Sequence, residues 1–298
     1  VVERHRGGRT PQRALVGQDL AVAATDSSPT HPAAGRLRVV TWNLWWRFGP
    51  WQEREASIVA TLRDLDPDLV ALQEVWDDGA ENQAARLGAA LGMDHAYSSR
   101  LELDGVAFGN AVLSRWPITD HEWRPLPDVD GAEERRTVLR ADVDGPRGPL
   151  QVFSTHLSWR PDHSAVRVAQ AGAVARFVAE SGPRSFPPVV CGDLNATPDA
   201  DELRLLTGRT APLDPGGVFV DAWEAAGQGP GITWDRENPH VALGFLPPRR
   251  IDYVLVGWPG PRSGPEGRVL ACSVEGTRPT AVGPVPSDHY AVRADLRY

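Results

Sequence analysis

The sequence predicts a layered fold of the mixed α/β or α+β class. Around ten apolar runs have the length of strands, and a few segments between them carry helical spacing. Many connections are too short for a helical crossover, so much of the sheet is expected to be antiparallel.

Order is expected from Leu37 onward. Leu37 to Leu44 has strand character, with Val39, Thr41 and Asn43 on one face. Ala56, Val59, Ala60 and Leu62 recur at helical intervals within Gln52 to Leu65, and Pro67 stops that helix. Asp68 to Val75 is the next strand, and Glu81 to Leu91 a second helix. Val106 to Arg115, Thr137 to Val143 and Leu150 to His156 follow as strands, divided by turn-rich pieces such as Asp144-Gly145-Pro146. Ser164 to Ala179 is a helix rich in alanine and valine. The apolar run Phe186 to Val190 leads into Cys191-Gly192-Asp193-Leu194-Asn195, and Asp199 to Leu206 is a helix just after it. Arg250 to Val256, Arg268 to Val274 and Tyr290 to Leu296 complete the strands. No internal repeat or linker interrupts residues 37–298, which are expected to form one domain. Residues 1–36 are poor in apolar side chains and punctuated by proline and glycine, so a disordered tail is expected there, with helical character only over Arg13 to Ala24.

A chain of 298 residues that is 41% hydrophobic can bury a large core. All 31 basic residues are arginine, and against 39 acids they leave a net charge of −8. That balance disfavours a bulk nucleic-acid binder, because phosphate contacts need cationic side chains. Two cysteines make no disulfide framework, and Cys191 fits a small core residue. No apolar stretch approaches the roughly 18–20 residues that cross a bilayer. The first 36 residues lack the apolar centre of a secretory signal, so a cytoplasmic protein is expected.

The chemistry is written at strand ends. Asn43, Glu74, His156, Asp193 with Asn195, and Asp288 with His289 each close or open an apolar run, and Asp252 lies inside one. Singly, such residues are usually turns, caps or hydrogen-bonded core groups. Together they raise a physical problem. Four carboxylates gathered in one place repel one another, and their pKa values rise unless a cation or an imidazolium holds them ionised. A divalent metal resolves this, and hard oxygen ligands select magnesium, manganese or calcium over zinc.

The ordered motifs Trp42-Asn43, Leu72-Gln73-Glu74, Thr155-His156-Leu157, Gly192-Asp193-Leu194-Asn195, Arg250-Ile251-Asp252-Tyr253 and Ser287-Asp288-His289 resemble those of the endonuclease/exonuclease/phosphatase superfamily. Gly109 to Arg115 and Thr233-Trp234 look like further signatures of it. The resemblance implies a four-layer sandwich of the deoxyribonuclease I type, with two mainly antiparallel sheets face to face and helices outside. It also implies hydrolysis of a phosphoester with magnesium or manganese. Asn43, Glu74 and Asp288 would then serve the metal. His156, Asp193, Asn195, Asp252 and His289 would be catalytic, and Asn110, Arg115 and Trp234 would contact substrate. Arg115 has an alternative as a surface partner of an acid such as Asp120.

The acidic charge favours a small or lipid-derived phosphoester. DNA or RNA is the alternative substrate, and an inactive binding module of the same fold a second alternative. No protein partner is expected.

Overall fold

The computed structural model describes residues 35–129, 134–182, 185–211, 217–241, 244–258 and 264–298. The expected tail and its helical stretch therefore lie outside the described residues, except Gly35 and Arg36. Two six-stranded sheets pack face to face. The first is built from β1 (Arg36–Asn43), β2 (Leu69–Asp77), β3 (Asp94–Leu103), β4 (Val106–Ser114), β11 (Val269–Glu275) and β12 (Ala291–Arg297), in the order β11-β12-β1-β2-β4-β3. The second contains β5 (Ile118–Pro125), β6 (Thr137–Gly145), β7 (Gly148–His156), β8 (Val189–Asp193), β9 (Phe219–Asp221) and β10 (Asp252–Gly257), in the order β5-β6-β7-β8-β10-β9.

Among the described residues each sheet has a single parallel strand pair, β1–β2 and β7–β8, and every other strand pairing is antiparallel. A parallel pair needs a crossover, and the two strongest helices supply it. Helix α1 (Trp51–Leu65) links β1 to β2, and α3 (Ser164–Glu180) links β7 to β8. Helices α2 (Gln83–Leu91), α4 (Asp201–Leu206) and α5 (Ala222–Ala226) are shorter. Asn82 caps α2 by accepting from the Ala85 amide at 3.2 Å, and Gly92 ends it with φ 66°.

Side-chain alternation sorts the buried residues into three cores. Leu37 and Val39 of β1, with Leu69 and Ala71 of β2, point between the sheets toward Val152, Cys191 and Val254. Their neighbours Val40, Trp42, Val70 and Leu72 point outward under Ile58 and Leu62 of α1. In the second sheet Phe153, Val190 and Leu255 face outward under Val174 and Phe177 of α3. Both faces of the central strands are thus buried, which is why they read as near-continuous apolar runs. The layers are helices, sheet, sheet, helices.

The parity of each strand decides which polar residue reaches the gap between the sheets. Asn43 continues the inward series of Val39 and Thr41, His156 that of Val152 and Ser154, Asp193 that of Val189 and Cys191, and Asp252 that of Val254 and Val256. Three strands, β3, β5 and β9, and helix α5 were not among the expected elements. β3 and β5 carry many exposed polar residues, and β9 has only three residues.

Candidate active site

The parallel strands end at the same edge of the sandwich. Asn43 pairs with Gln73 in register, His156 with Asp193, and Asp193 with Asp252. Gln73 ties the two sheets just beneath, its Nε2 donating to Ser154 Oγ at 3.1 Å while Ser154 Oγ donates to the Leu72 carbonyl at 3.0 Å. Gly192 is required in this weave, since a Cβ there would lie 2.0 Å from the Thr155 carbonyl oxygen.

Glu74 reaches the gap by a different route. Alternation along β2 would turn it toward the helix layer. The β2–β4 register instead shifts between Leu72 and Val75, and Glu74 takes φ 54°. That twist brings its Oε1 to accept from Asn43 Nδ2 at 2.9 Å. The same amide nitrogen also donates to Asp193 Oδ2 at 3.1 Å, and Asn43 Oδ1 accepts from the Trp45 amide at 2.9 Å. Trp45, Trp46 and Asn195 also hold positive φ (57°, 35° and 49°). Non-glycine residues in this region are uncommon and gather at functional sites.

Buried Arg54 of α1 fastens the loops around Glu74. Its guanidinium donates to the carbonyls of Leu44, Trp45, Trp46, Phe48 and Pro286 at 2.8–3.1 Å. The Ser287-Asp288-His289 loop is held from the other side as well. Ser287 Oγ donates to the Asn43 carbonyl at 2.6 Å, Trp42 Nε1 donates to the His289 carbonyl at 3.0 Å, and Asn238 Nδ2 donates to the Ser287 carbonyl at 2.8 Å.

Two histidines flank Asp193. His289 donates from Nδ1 to Asp252 Oδ2 at 2.9 Å, and its Nε2 lies 3.7 Å from Asp193 Oδ2. Burial pulls this imidazole toward neutrality, but Asp252, Asp193 and Asp288 together outweigh it and hold its pKa well above the usual histidine value. His156 Nε2 lies 3.4 Å from the same Asp193 oxygen and 3.1 Å from Asn195 Nδ2. Arg136 Nη1 sits 2.8 Å from its Nδ1. A guanidinium can only donate, so Nδ1 accepts and the neutral ring carries its proton on Nε2, directed at Asp193 Oδ2 rather than at the Asn195 amide nitrogen, which itself donates to the Leu157 carbonyl at 3.3 Å. Burial and Arg136 hold the His156 pKa well below the usual range.

The carboxylates feel the crowding. Burial, then Asp288, pushes Glu74 up to about 7 against the pull of Asn43. Burial pushes Asp193 up to about 6, with His289 opposing and Asp252 adding to the rise. Asp288 is raised by burial as well, with His289 and Arg54 opposing.

Glu74 Oε2 is removed from solvent and has no hydrogen-bond partner among the described residues. An unsatisfied buried carboxylate oxygen near a second carboxylate fits a hard divalent cation, and Glu74 and Asp288 offer it oxygens. Asn43 instead turns its Nδ2 toward Glu74 and engages its Oδ1 with the Trp45 amide, so it would hold the carboxylate beside the ion. Asp193, Asp252 and His289 also bring ligand atoms within 4.8 Å of one another. In that second group a protonated imidazole already supplies the positive charge, so a cation fits better on the Glu74 side.

Of the residues expected to contact substrate, Trp234 lines the cavity over this cluster. Asn110 instead ties β4 to β6, donating to the Thr137 carbonyl at 3.0 Å and to its Oγ1 at 3.1 Å. It faces a small recess beside His156. Arg115 is corrected. It lies at the other end of β2, where Nε donates to Asp68 Oδ1 at 3.0 Å and Nη2 to Asp66 Oδ1 at 2.6 Å. The acid it pairs with is not Asp120, which belongs to Arg140. The physical reason is strand direction: β4 runs antiparallel to β2, so its C-terminal end lies away from Glu74.

Sequence reasoning missed Arg54, Arg136, Arg249 and Asn238. An arginine on a helix or just ahead of a strand carries no signal of burial, and the contacts that hold these three arginines include segments distant in the chain.

The cavity over the cluster has a volume of about 690 Å³. Trp45, Trp234, Phe108, His156, Asn195, His289, Arg136 and Arg249 form its inner wall. Phe48, Trp159 and Phe245 stand on its rim, 42%, 57% and 84% exposed. Among the described residues no helix is long and apolar enough to cross a membrane.

The chain is similar to protein angel of Drosophila melanogaster, 27% identical over 267 residues, which cover 83% of this chain and 72% of that protein. Among solved structures, an endonuclease/exonuclease/phosphatase from Beutenbergia cavernae is 28% identical, covers 88% of this chain and 72% of its own, and superposes with a TM-score of 0.62. D. rerio TDP2 complexed with single-strand DNA product is 19% identical with a TM-score of 0.71, covering 88% of this chain and 99% of that one, and so shares the fold. A model of the Endonuclease/Exonuclease/phosphatase family matches residues 40–289, and with the sandwich and the site built at its edge the chain belongs to that family.

Proposed function

We propose that the protein hydrolyses a phosphoester by in-line attack of water on phosphorus, assisted by magnesium or manganese. One observation carries this reading: Glu74, Asp193, His289 and His156 converge on a single cavity from both sheets. Glu74 would hold the cation, with Asn43 and Asp288 beside it. When bound, such a cation polarises a phosphoryl oxygen and stabilises the leaving oxygen.

The side chains divide the remaining work. Asp193 orients the attacking water and takes its proton. Its pKa of about 6 leaves it ionised at neutral pH while keeping it a competent base. His289, held by Asp252 with Nε2 toward the cavity, donates to the phosphoryl group as charge develops. Asn195 holds a non-bridging oxygen, and neutral His156 donates from Nε2 on the opposite side. Trp234 forms the wall against which the substrate rests.

The substrate favoured is a small or lipid-derived phosphoester. The acidic charge of the chain and the apolar rim of Phe48, Trp159 and Phe245 support it. A nuclease is the second reading, supported by the DNA product in the TDP2 structure of like fold. The test compares plasmid nicking with nitrophenol release from bis-(p-nitrophenyl) phosphate and phosphate release from mononucleotides and inositol phosphates, each with magnesium. Nicking faster than turnover of the small esters would overturn the substrate assignment. Silence on all of them would promote the inactive binding module.

A further inference from the structure

Arg249 is a cation in the cavity that the catalytic assignments leave unused. It precedes the strand that carries Asp252, and its backbone is locked to the next segment. Arg249 N donates to the Trp234 carbonyl at 2.9 Å, and the amides of Thr233 and Trp234 donate back to the Arg249 carbonyl at 3.1 and 3.0 Å. Trp234 in turn bridges to His289. Arg249 and His289 are therefore neighbours across one tryptophan, both facing the cavity. The guanidinium lies 5.1 Å from the centre of the Trp234 ring. Stacking of that kind fixes the plane and leaves the edge donors free.

The other arginines around the site are engaged. Arg136 donates from Nε to Glu134 Oε2 at 3.0 Å and from Nη1 to His156, and Arg54 is spent on five carbonyls. Among the described residues Arg249 makes no side-chain hydrogen bond or ion pair, and its Nε is buried without a partner. Burial weakens its hold on its proton, although Asp193 and Asp252 help to keep it charged. A half-buried guanidinium with free donors needs an anion.

The charge balance says which anion fits. Arg136 is paired with Glu134 and Arg54 is spent on carbonyls, so among the described residues Arg249 is the cavity guanidinium whose single positive charge meets no side-chain partner. A phosphodiester carries one negative charge, whereas a monoester carries about 1.5 to 2 at neutral pH.

We propose that Arg249 is the substrate-binding residue that grips the non-bridging oxygens, and that it tunes the site to a phosphodiester monoanion. The diester assignment rests on the phosphoester-hydrolase reading above, but phosphate binding by Arg249 can be measured without turnover.

The test uses the full chain with magnesium, the parent beside Arg249→Ala and Arg249→Lys. Calorimetric titration with inorganic phosphate should show affinity about tenfold weaker or worse in Arg249→Ala and partly restored in Arg249→Lys. On bis-(p-nitrophenyl) phosphate the same loss should fall on KM, with kcat within about threefold, and the parent should prefer this diester to p-nitrophenyl phosphate. Unchanged phosphate affinity in a folded Arg249→Ala protein overturns the contact. Loss of kcat at constant KM overturns it too, pointing to a role through Trp234. A parent that prefers the monoester overturns the diester assignment alone. A parent inactive on both esters overturns the activity reading, while the phosphate titration still decides the role of Arg249.

Discussion

His156 and His289 approach the same oxygen. Their Nε2 atoms stand 3.4 and 3.7 Å from Asp193 Oδ2, one at the end of the second sheet's β7 and the other ahead of the first sheet's β12. Both rings are buried, and burial alone would leave both neutral. They differ in what lies behind them. Arg136 stands at Nδ1 of His156, while Asp252 stands at Nδ1 of His289. The first imidazole is pushed far below the usual range and the second far above it. The residue type therefore does not set the role. Burial neutralises His156 with Arg136 adding to it, whereas Asp252, with Asp193 and Asp288, outweighs burial at His289. The groups behind the two rings, Arg136 and Asp252, come from segments at least 20 residues away.

If this contrast governs catalysis, the largest effect belongs to the charged histidine. His289→Ala should lower kcat by about 10²–10⁴-fold, the usual contribution of a positioned acid–base group, with circular dichroism unchanged. Asp252→Asn should lose a large part of the same factor, because it removes the charge that keeps His289 protonated. Near-normal rates in both folded variants would remove the site assignment. Glu74→Gln should abolish magnesium-dependent turnover and the rise in melting temperature that magnesium gives the parent. Full activity of the parent after exhaustive EDTA treatment would exclude the metal.

The next effect is on stability. Glu74 and Asp193 titrate at about 7 and about 6 in the folded, metal-free protein, against ordinary values of 4.5 and 3.8. Between those limits the folded state binds more protons than the unfolded chain. The metal-free protein should therefore lose stability as pH rises from about 4 to about 7. Glu74→Gln removes its share of that loss. In EDTA at pH 8 the variant should be more stable than the parent by on the order of 3 kcal/mol, and in magnesium the order should reverse. Denaturant titrations at several pH values measure this, and a variant less stable under both conditions would contradict it.

His156 should matter less. His156→Gln keeps a donor at the cavity and should cost about tenfold in kcat/KM, about the worth of one hydrogen bond. Arg136→Leu should let the His156 imidazole titrate closer to the ordinary histidine range, as read by NMR. An unmoved titration would mean that Arg136 does not set its charge. The smallest effect on turnover belongs to Arg115, at the far end of β2. Arg115→Ala should leave kcat/KM within twofold and cost about 1 kcal/mol of stability through the lost pairs with Asp66 and Asp68.

The motif residues were legible as strand ends because burial of both strand faces leaves long apolar runs that stop abruptly at polar groups. Asn43, His156, Asp193 and Asp252 then follow from parity alone: each continues the inward series of its strand. Glu74 does not. Its parity points to the helices, and only the register shift with φ 54° turns it inward. Strands β3 and β5 escaped notice because they are edge or near-edge strands with exposed polar side chains. Arg115 misled because a motif names a residue's neighbours in the chain, whereas the antiparallel course of β4 decides which end of the sheet it occupies.

The chain by itself therefore determined a layered class of helices and strands, the strand-end polar set and the need for positive charge among crowded carboxylates. These are properties of local pattern and of charge. Tertiary structure alone decided which histidine is charged and which arginines at the cavity are spent, leaving Arg249 without a side-chain partner among the described residues. Those outcomes depend on desolvation and on partners brought within about 3 Å from distant segments, and neither is encoded in any stretch of neighbouring residues.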